Sequence, residues 1–345
     1  MTFTETMKPR ERVLNALLGK PVDRPPVANP TNVATVELMD LVDAPFPDAC
    51  RNPELAARLA ATGHTELGFD SVMPYFTIIQ ESAALGCDMQ WEEKDNWPTV
   101  RMYNPIWKGL QDIRIPKNFL QHPDNRTITG AIEILDKELG KEVAIIGKTM
   151  GPWTLAYHVF GVENFLIMTI DDPDMVKRCL EKLKEISVLF GEAQIAAGAD
   201  ALTFPDHATG DLVSGDYYRK FLLEIHQEMA ERLQVPLILH ICGSTLDRLD
   251  YIAQSGMACF HFDSKNDPQQ AVKIANKRIT LVGNINNPET LYARGPETVR
   301  EEVYRCLEAG VDIIAPECAI PLATKLENLL EIPRAVRDWC ATHGS

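Results

Sequence analysis

The chain has 345 residues, 45% of them hydrophobic, and a formal net charge of -15 at pH 7. A chain of this length buries a large core, and its negative charge repels phosphate backbones and anionic lipid, so we expect no nucleic-acid or membrane partner. It contains no run of eighteen apolar residues, and its charged start differs from a secretory signal, so we predict a cytoplasmic protein.

Apolar spacing predicts an alternation of strands and helices along the chain. An entry helix from Pro9 to Leu18 ends at Gly19 and leads into a first strand at Val27. Short apolar runs predict seven more strands, at 69–75, 143–147, 199–204, 237–241, 259–262, 279–282 and 311–315. Amphipathic patterns predict helices at 174–197, 215–233, 268–275, 296–309 and 325–340.

This alternation is typical of parallel strands with right-handed crossovers, and eight strands predict an α/β fold that closes into a (β/α)₈ TIM barrel. An open doubly wound sheet uses the same alternation and remains an alternative at this point. The segment 90–125 is rich in Trp, Pro and Asn, so we interpret it as an insertion or lid before the third strand. No change in composition marks a boundary, and we expect one domain over 1–345.

Three potential metal ligands follow two of the predicted strands. His240 and Cys242 stand two residues apart at the end of the fifth strand, so they share one face, and Cys318 follows the eighth strand. A His-x-Cys alone is more typical of a core histidine beside a core cysteine. Together the three ligands suit zinc and leave one coordination position open, as in catalytic zinc sites. Eight cysteines without a secretory signal otherwise indicate reduced thiols.

The ends of two other strands carry further candidates. Asp263 follows the sixth strand and is predicted either to be a labile fourth zinc ligand or to cap the next helix. His261 lies two residues earlier and is either a partner of a zinc ligand or a buried core histidine. After the fourth strand, Asp206 and His207 point to opposite faces, so we expect only one of them to line the mouth.

Several familiar motifs are absent. Gly147, Lys148 and Thr149 follow a strand as in a phosphate loop, but Glu142 occupies the position of the required glycine. The sequence has no GxGxxG, GxSxG or HExxH motif, which disfavours dinucleotide binding, a nucleophile elbow and the zinc peptidases.

At these residues the sequence resembles the uroporphyrinogen decarboxylase superfamily, and within it the zinc-dependent methylcobamide:coenzyme M methyltransferases. The resemblance covers nearly the whole chain. It rests on the segments 19–26 (GKPVDRPP), 151–156 (GPWTLA), 239–243 (LHICG), 282–284 (VGN), 315–318 (APEC) and 326–328 (LEN). The zinc ligands of the methyltransferase branch match His240, Cys242 and Cys318, and an acidic residue of that branch falls at Asp263.

The resemblance implies transfer of a methyl group from a methyl-corrinoid to a thiol, with zinc as cofactor and coenzyme M as the expected acceptor. This chain has no corrinoid-binding DxHxxG motif, so a separate corrinoid protein is the expected partner. Our predicted substrate-binding residues are Tyr75, Lys148, His207 and Asn284. Where the coenzyme M enzymes have a basic residue in the second strand, this chain has Met73; Lys148 either replaces that charge or is solvated or paired with a carboxylate.

Three alternatives stay open. In the first alternative the methyl acceptor is another thiol or tetrahydrofolate, because the anion pocket differs from that of the coenzyme M enzymes. The second is a decarboxylase of the parent family, disfavoured because no Arg or Lys occurs between Arg24 and Arg51, where that branch needs arginines. The third is a barrel that binds a corrinoid or tetrapyrrole without catalysis and keeps zinc only for stability.

Overall fold

A computed structural model of the chain describes residues 4–343. Its strands are β1 Ser71–Val72, β2 Met89–Gln90, β3 Thr99–Val100, β4 Ala144–Lys148, β5 Ala201–Pro205, β6 Leu237–Ile241, β7 Cys259–Phe262, β8 Thr280–Ile285 and β9 Ile313–Pro316. Its α-helices are α1 Pro9–Leu17, α2 Val36–Leu41, α3 Pro53–Thr65, α4 Gln80–Leu85, α5 Pro123–Leu139, α6 Pro152–Phe160, α7 Val162–Asp171, α8 Pro173–Ala196, α9 Gly215–Phe221, α10 Leu223–Arg232, α11 Leu249–Ile252, α12 Pro268–Ala275, α13 Pro296–Ala309 and α14 Leu326–His343. Three-residue 3₁₀ helices occur at Asp48–Cys50, Leu110–Asp112 and Phe119–Gln121, and a π-helix at Asn287–Tyr292.

Seven of the strands form one parallel sheet in the order β1-β4-β5-β6-β7-β8-β9. The segment around Val27 closes it, because Val27 pairs with Ile314 in parallel and its carbonyl accepts a hydrogen bond from Asp70 N at 2.7 Å. Val27 therefore lies between the last strand and the first, and takes the place of an eighth strand. The prediction of a TIM barrel is confirmed, although the strand predicted at Val27 is reduced to a single bridge.

The predicted helices match the structure with one correction. The pattern at 215–233 predicted one helix, but the chain forms α9 and α10, which are separated at Leu222. Leu222 has φ -120° and ψ -27°, outside the helical range, and its side chain is fully buried. Tertiary packing therefore breaks a segment whose apolar spacing continues through the break. Within residues 4–343, none of the helices combines the length and the apolarity needed to cross a bilayer.

The predicted insertion at 90–125 begins in a two-stranded antiparallel hairpin, β2 paired with β3. Two 3₁₀ helices follow, and the segment ends in the first turn of α5. Trp97, in the hairpin loop, packs on Phe46 with ring centroids 5.4 Å apart. This contact holds the hairpin against the segment that follows Val27. It places the hairpin beside the carboxyl ends of the barrel strands.

The opposite end of the barrel is held by an N-terminal charge network of Glu5, Arg12, Asp23, Arg24 and Asp70. Arg12 donates to Asp23 at 2.6 Å and to Asp70 at 2.7 Å, and Arg24 donates to Asp70 at 2.8 Å. Both guanidinium groups and Asp70 are buried. The network joins helix α1 to the residues that precede the first two strands, so every buried charge in it has an opposite charge in contact.

Candidate metal centre and cavity at the mouth of the barrel

Three donor atoms meet where β6 and β9 end. His240 Nε2 lies 3.0 Å from Cys242 Sγ and 3.3 Å from Cys318 Sγ, and the two sulfur atoms are 3.4 Å apart. Donor atoms around tetrahedral zinc are about 3.4 to 3.8 Å apart, given bonds of about 2.0 to 2.3 Å. The three atoms are therefore within about half an ångström of the geometry that zinc requires. The sulfur separation also excludes a disulfide, whose S–S bond is about 2.05 Å.

The orientation of His240 is fixed by the neighbouring strand. Its Nδ1 is 3.2 Å from the main-chain carbonyl oxygen of His261 on β7, so Nδ1 carries the proton and donates it there. The lone pair of Nε2 is consequently directed at the two sulfur atoms, as in histidines that bind metals. His240 is thus held by the main chain of His261 and not by its side chain. Its imidazole donates to the carbonyl oxygen of Pro316 at 2.8 Å.

The two thiols differ in acidity. The hydrogen bond from Cys242 lowers the pKa of Cys318 well below its usual value, with further help from His240, while the same bond and burial raise the pKa of Cys242. Cys318 is therefore the more acidic of the two thiols. Thiols bind a divalent cation as thiolates, so metal binding here would release protons.

A cavity of about 240 Å³ opens directly over these donor atoms. Besides the three ligands it is lined by Lys148, His207 and mainly apolar groups, among them Phe76, Ile78 and Trp97. Ligand sites for small molecules usually measure about 300 to 1,000 Å³, so the volume of this cavity lies just below that range. It suits a small molecule, and it is too small to enclose a porphyrin.

Lys148 is the cationic side chain of this cavity. The structure contradicts the two alternatives in which it is solvated or paired with a carboxylate. Its side chain is buried rather than solvated, and in the described part of the chain no carboxylate lies within ion-pair distance of Nζ. Nζ donates to the carbonyl oxygen of Thr31 at 2.9 Å and lies 4.8 Å from the centre of the Tyr75 ring. Burial lowers the pKa of Lys148 to about 7, because the charged form loses its hydration.

Two predicted substrate-binding residues do not contact the cavity. The hydroxyl of Tyr75 donates to Glu81, and its ring supports Lys148, so Tyr75 acts through its neighbour. The amide of Asn284 donates to the carbonyl oxygens of Asp263 and Asn266, at 3.2 and 2.8 Å, and its oxygen accepts from Cys306 on α13. Asn284 therefore faces the outer helices, and we correct both assignments. Register alone did not reveal which face of β8 this residue occupies.

Of the adjacent pair after β5, only His207 lines the cavity, as the alternation of a strand predicts. Asp206 is fully buried behind it, where it accepts from Thr154 N at 2.9 Å and contacts His226 Nε2 at 3.0 Å. His207 is partly buried, and burial together with the nearby His240 lowers the pKa of its ring to about 4. The ring is therefore neutral at pH 7.

Asp263 lies beside the donor atoms but has other partners. One carboxylate oxygen accepts from Gly243 N at 2.8 Å and the other from Lys265 N at 2.9 Å. Helix α12 is capped by Asp267, so the helix-cap alternative for Asp263 is wrong. The negative charge of Asp263 contributes to the raised pKa of Cys242. Asp263 thus holds the turn that follows Cys242 and acts on the site by its charge.

Several cavity residues were not identified from the sequence, among them Thr31 and Trp97. Thr31 supplies the carbonyl that binds Lys148, and Trp97 forms part of the cavity wall. A main-chain carbonyl leaves no signal in the residue type, so Thr31 was not predictable. The composition of the insertion did indicate a lid, and the structure shows which of its tryptophans reaches the mouth.

A family model described as uroporphyrinogen decarboxylase matches residues 8–339. The chain belongs to this family.

Within the family, the chain is similar to several methyltransferases. The methylcobamide:CoM methyltransferase MtaA of Methanosarcina barkeri is 34% identical over 336 residues, which cover 96% of this chain and 98% of that protein. The methylated-thiol coenzyme M methyltransferase of Methanosarcina mazei is 32% identical over 96% of this chain and 90% of its own length. A solved structure of a methyltransferase from Methanosarcina mazei is 33% identical, with a TM-score of 0.92 over 96% of this chain and 99% of that one.

Proposed function

We propose that this chain transfers a methyl group from a methyl-corrinoid to the thiol of coenzyme M, with zinc held by His240, Cys242 and Cys318. The observation that carries the proposal is the convergence of these three donor atoms, 3.0 to 3.4 Å apart, at the floor of a small cavity that contains one buried cation. The activities named for the similar family members support it. The proposal treats 1–345 as one domain, supported by the family match over 8–339.

The donor set fits zinc because two thiolates and one imidazole are ligands that zinc accepts, and three protein ligands leave a position for an added molecule. Zinc bound there supplies a Lewis acid that lowers the pKa of an acceptor thiol and holds its sulfur as a thiolate. The residues around the ligands prepare this position: His261 fixes the ring of His240 through its carbonyl, and Asp263 fixes the turn after Cys242.

Lys148 is proposed to bind the sulfonate of coenzyme M. Its ammonium group is the cation of the cavity, and no carboxylate among residues 4–343 forms an ion pair with it. A charge-assisted hydrogen bond to an anion is strong in a site with little water, and it raises the pKa of the lysine again. Because Tyr75 lies beneath Nζ, the side chain is held in place before the acceptor arrives.

The apolar walls and the hairpin are proposed to exclude water from the reacting atoms. Phe76, Ile78 and Trp97 surround the space above the ligands. The acceptor thiolate attacks the methyl carbon in line with the cobalt–carbon bond; the sulfur–carbon bond forms, and the electron pair of the broken bond stays on cobalt. The products are methylated coenzyme M and a cob(I)alamin-type corrinoid. Exclusion of water protects this electron-rich leaving group from protonation.

The methyl-corrinoid is proposed to arrive on a separate corrinoid-binding protein that docks over the mouth. The cavity is too small to enclose a corrinoid, so the donor approaches from outside while the acceptor sits within. The same size argument, with the missing arginines, disfavours decarboxylation of a uroporphyrin. A cytoplasmic location remains a prediction from the sequence.

The test is to assay demethylation of free methylcobalamin with coenzyme M, homocysteine and tetrahydrofolate side by side. We expect coenzyme M to be the best acceptor and the zinc-depleted chain to be inactive until zinc is restored. Activity with tetrahydrofolate alone would show that the acceptor is not a thiol. Activity that is unchanged after zinc removal would contradict the proposed role of the metal centre.

A further inference from the structure

A buried segment without regular secondary structure, residues 29–32, follows the Val27 bridge and reaches the mouth of the barrel. Neither a helix nor a strand pairs the main-chain groups of such a segment, so side chains have to pair them. Asn29 is the central side chain here. Its Oδ1 accepts from Thr31 N at 3.0 Å and from Thr31 Oγ1 at 2.6 Å, and its Nδ2 donates to the carbonyl oxygen of Asn32 at 2.5 Å.

Asn29 also contacts the main chain of a proposed metal ligand. Its Nδ2 donates to the carbonyl oxygen of Cys318 at 3.2 Å. A side-chain amide can accept two hydrogen bonds and donate two, so the capacity of Asn29 is fully used by these four bonds. Its side chain is buried. The amide is therefore held from both sides, by its own segment and by the residue that follows β9.

Through Thr31, the same side chain is connected to the cation of the cavity. Lys148 Nζ donates to the carbonyl oxygen of Thr31 at 2.9 Å, and Lys148 and Cys318 line the same cavity. A continuous set of hydrogen bonds thus runs from Lys148 through Thr31 and Asn29 to the main chain of Cys318. A lysine side chain has many rotamers, so a carbonyl that is itself held in place determines where the ammonium group lies.

We propose that Asn29 is a positioning residue that fixes the distance between the ammonium group of Lys148 and the metal centre, and that this distance selects the length of the anionic thiol. This inference rests on the proposed function. An acceptor whose sulfur lies at the metal and whose anion contacts Lys148 spans the cavity, so a fixed span favours one chain length. A misplacement of about 1 Å in a site can cost about 100-fold.

The experiment is calorimetric titration of the zinc-loaded full chain with coenzyme M, with its three-carbon homologue 3-mercaptopropanesulfonate and with the uncharged 2-mercaptoethanol. We expect the wild type to prefer coenzyme M over the homologue by about tenfold. Asn29→Ala should weaken coenzyme M about tenfold and reduce this preference to less than about threefold. Its affinity for 2-mercaptoethanol should stay within about twofold, because that thiol makes no ion pair with Lys148.

A double-mutant cycle identifies the residue through which Asn29 acts. In the Lys148→Met background, Asn29→Ala should cause no further loss of affinity for coenzyme M, because the cation that it positions is gone. A merely structural role would weaken binding in both backgrounds and overturn the inference. Thr31→Val is a milder second variant: it keeps the carbonyl that holds Lys148, removes the hydroxyl bond to Asn29, and should give the same pattern with a smaller size.

Asn328 offers a matched control. It is also buried, its Nδ2 donates to the carbonyl oxygens of Leu291 and Arg294 at 2.9 and 2.8 Å, and it is not among the residues that line the cavity. Asn328→Ala should lower the thermal stability as Asn29→Ala does, and leave the affinities for all three thiols unchanged. Equal losses of affinity for coenzyme M in the two variants would overturn the role of Asn29.

Other results separate the two proposals. Equal weakening of coenzyme M and 2-mercaptoethanol in Asn29→Ala, or a wild type that binds coenzyme M and its homologue equally, would overturn the positioning role while the methyl-transfer proposal stands. Loss of zinc from Asn29→Ala together with unchanged affinities in Thr31→Val would do the same, since Asn29 would then support only Cys318. A wild type that methylates none of the three thiols would overturn the proposed function and this inference with it.

Discussion

Buried charged side chains are paired with opposite charges at one end of the barrel and unpaired at the other. In the N-terminal charge network, Arg12 and Arg24 are buried but contact Asp70 at 2.7 and 2.8 Å. At the mouth, Lys148 is buried to the same degree, and among the described residues its ammonium group contacts a carbonyl oxygen and an aromatic face but no carboxylate. A paired buried charge supports the fold, whereas an unpaired one costs stability and is retained for binding. The contrast predicts opposite effects of mutation at the two ends.

The largest effect is expected from removal of a sulfur ligand. Cys242→Ala or Cys318→Ala should abolish zinc binding and methyl transfer, while the circular dichroism spectrum stays native because the site lies at the rim. Zinc content by atomic absorption checks this, with the buried Cys179→Ala as control, which should keep about one zinc per chain. Full zinc occupancy in both ligand variants would contradict the assignment.

At the other end, Asp70→Asn should destabilise the protein by about 3–5 kcal/mol, because it leaves two buried guanidinium groups with one charge partner fewer. Urea denaturation measures the change. The control is Asp250→Asn, whose exposed ion pair with Arg278 should be worth less than about 1 kcal/mol. Equal effects of the two substitutions would remove the distinction between the network and the surface.

Lys148→Met should weaken the binding of coenzyme M and yet stabilise the fold. Loss of the cation is expected to raise KM for coenzyme M about 10- to 100-fold, and to leave KM for the uncharged 2-mercaptoethanol unchanged. The pKa of Lys148 in the folded protein, about 7, is below that of a free lysine, so the unfolded chain binds more protons between pH 7 and about 10.4. The free energy of unfolding of the wild type therefore increases as the pH rises through this range.

The advantage of Lys148→Met in the free energy of unfolding should accordingly be about 4 kcal/mol below pH 7 and should shrink toward pH 10. Thermal unfolding of both proteins at pH 6, 8 and 9.5 measures it. A variant that is less stable than the wild type at pH 6 would show that the lysine is not an unpaired charge in the native protein.

The smallest effect is expected at Tyr75. Tyr75→Phe keeps the ring under Lys148 and removes only the hydroxyl that donates to Glu81, so it should cost about 1–2 kcal/mol of stability. KM for coenzyme M should stay within twofold of the wild type. A tenfold rise in KM would return Tyr75 to the substrate-binding residues.

The sequence predicted the strands and their carboxyl ends well because short apolar runs and period-two alternation are local signals. This is why His240, Cys242 and Cys318 were expected together, and why one of Asp206 and His207 was expected to face inward. The incorrect predictions concern side chains whose partners are distant in the sequence. Asn284 contacts Asp263 and Asn266, and the partners of Lys148 lie in the segments that follow the Val27 bridge and β1.

The hydrogen bond that orients His240 has a consequence for mutational analysis. Its acceptor is the main-chain carbonyl of His261, which every amino acid possesses. Replacement of the His261 side chain keeps this acceptor, and a scan of single substitutions would record no position at which it is lost. The tautomer of a central ligand is therefore specified by the pairing of β6 with β7, and it is inherited with the barrel rather than with any one residue.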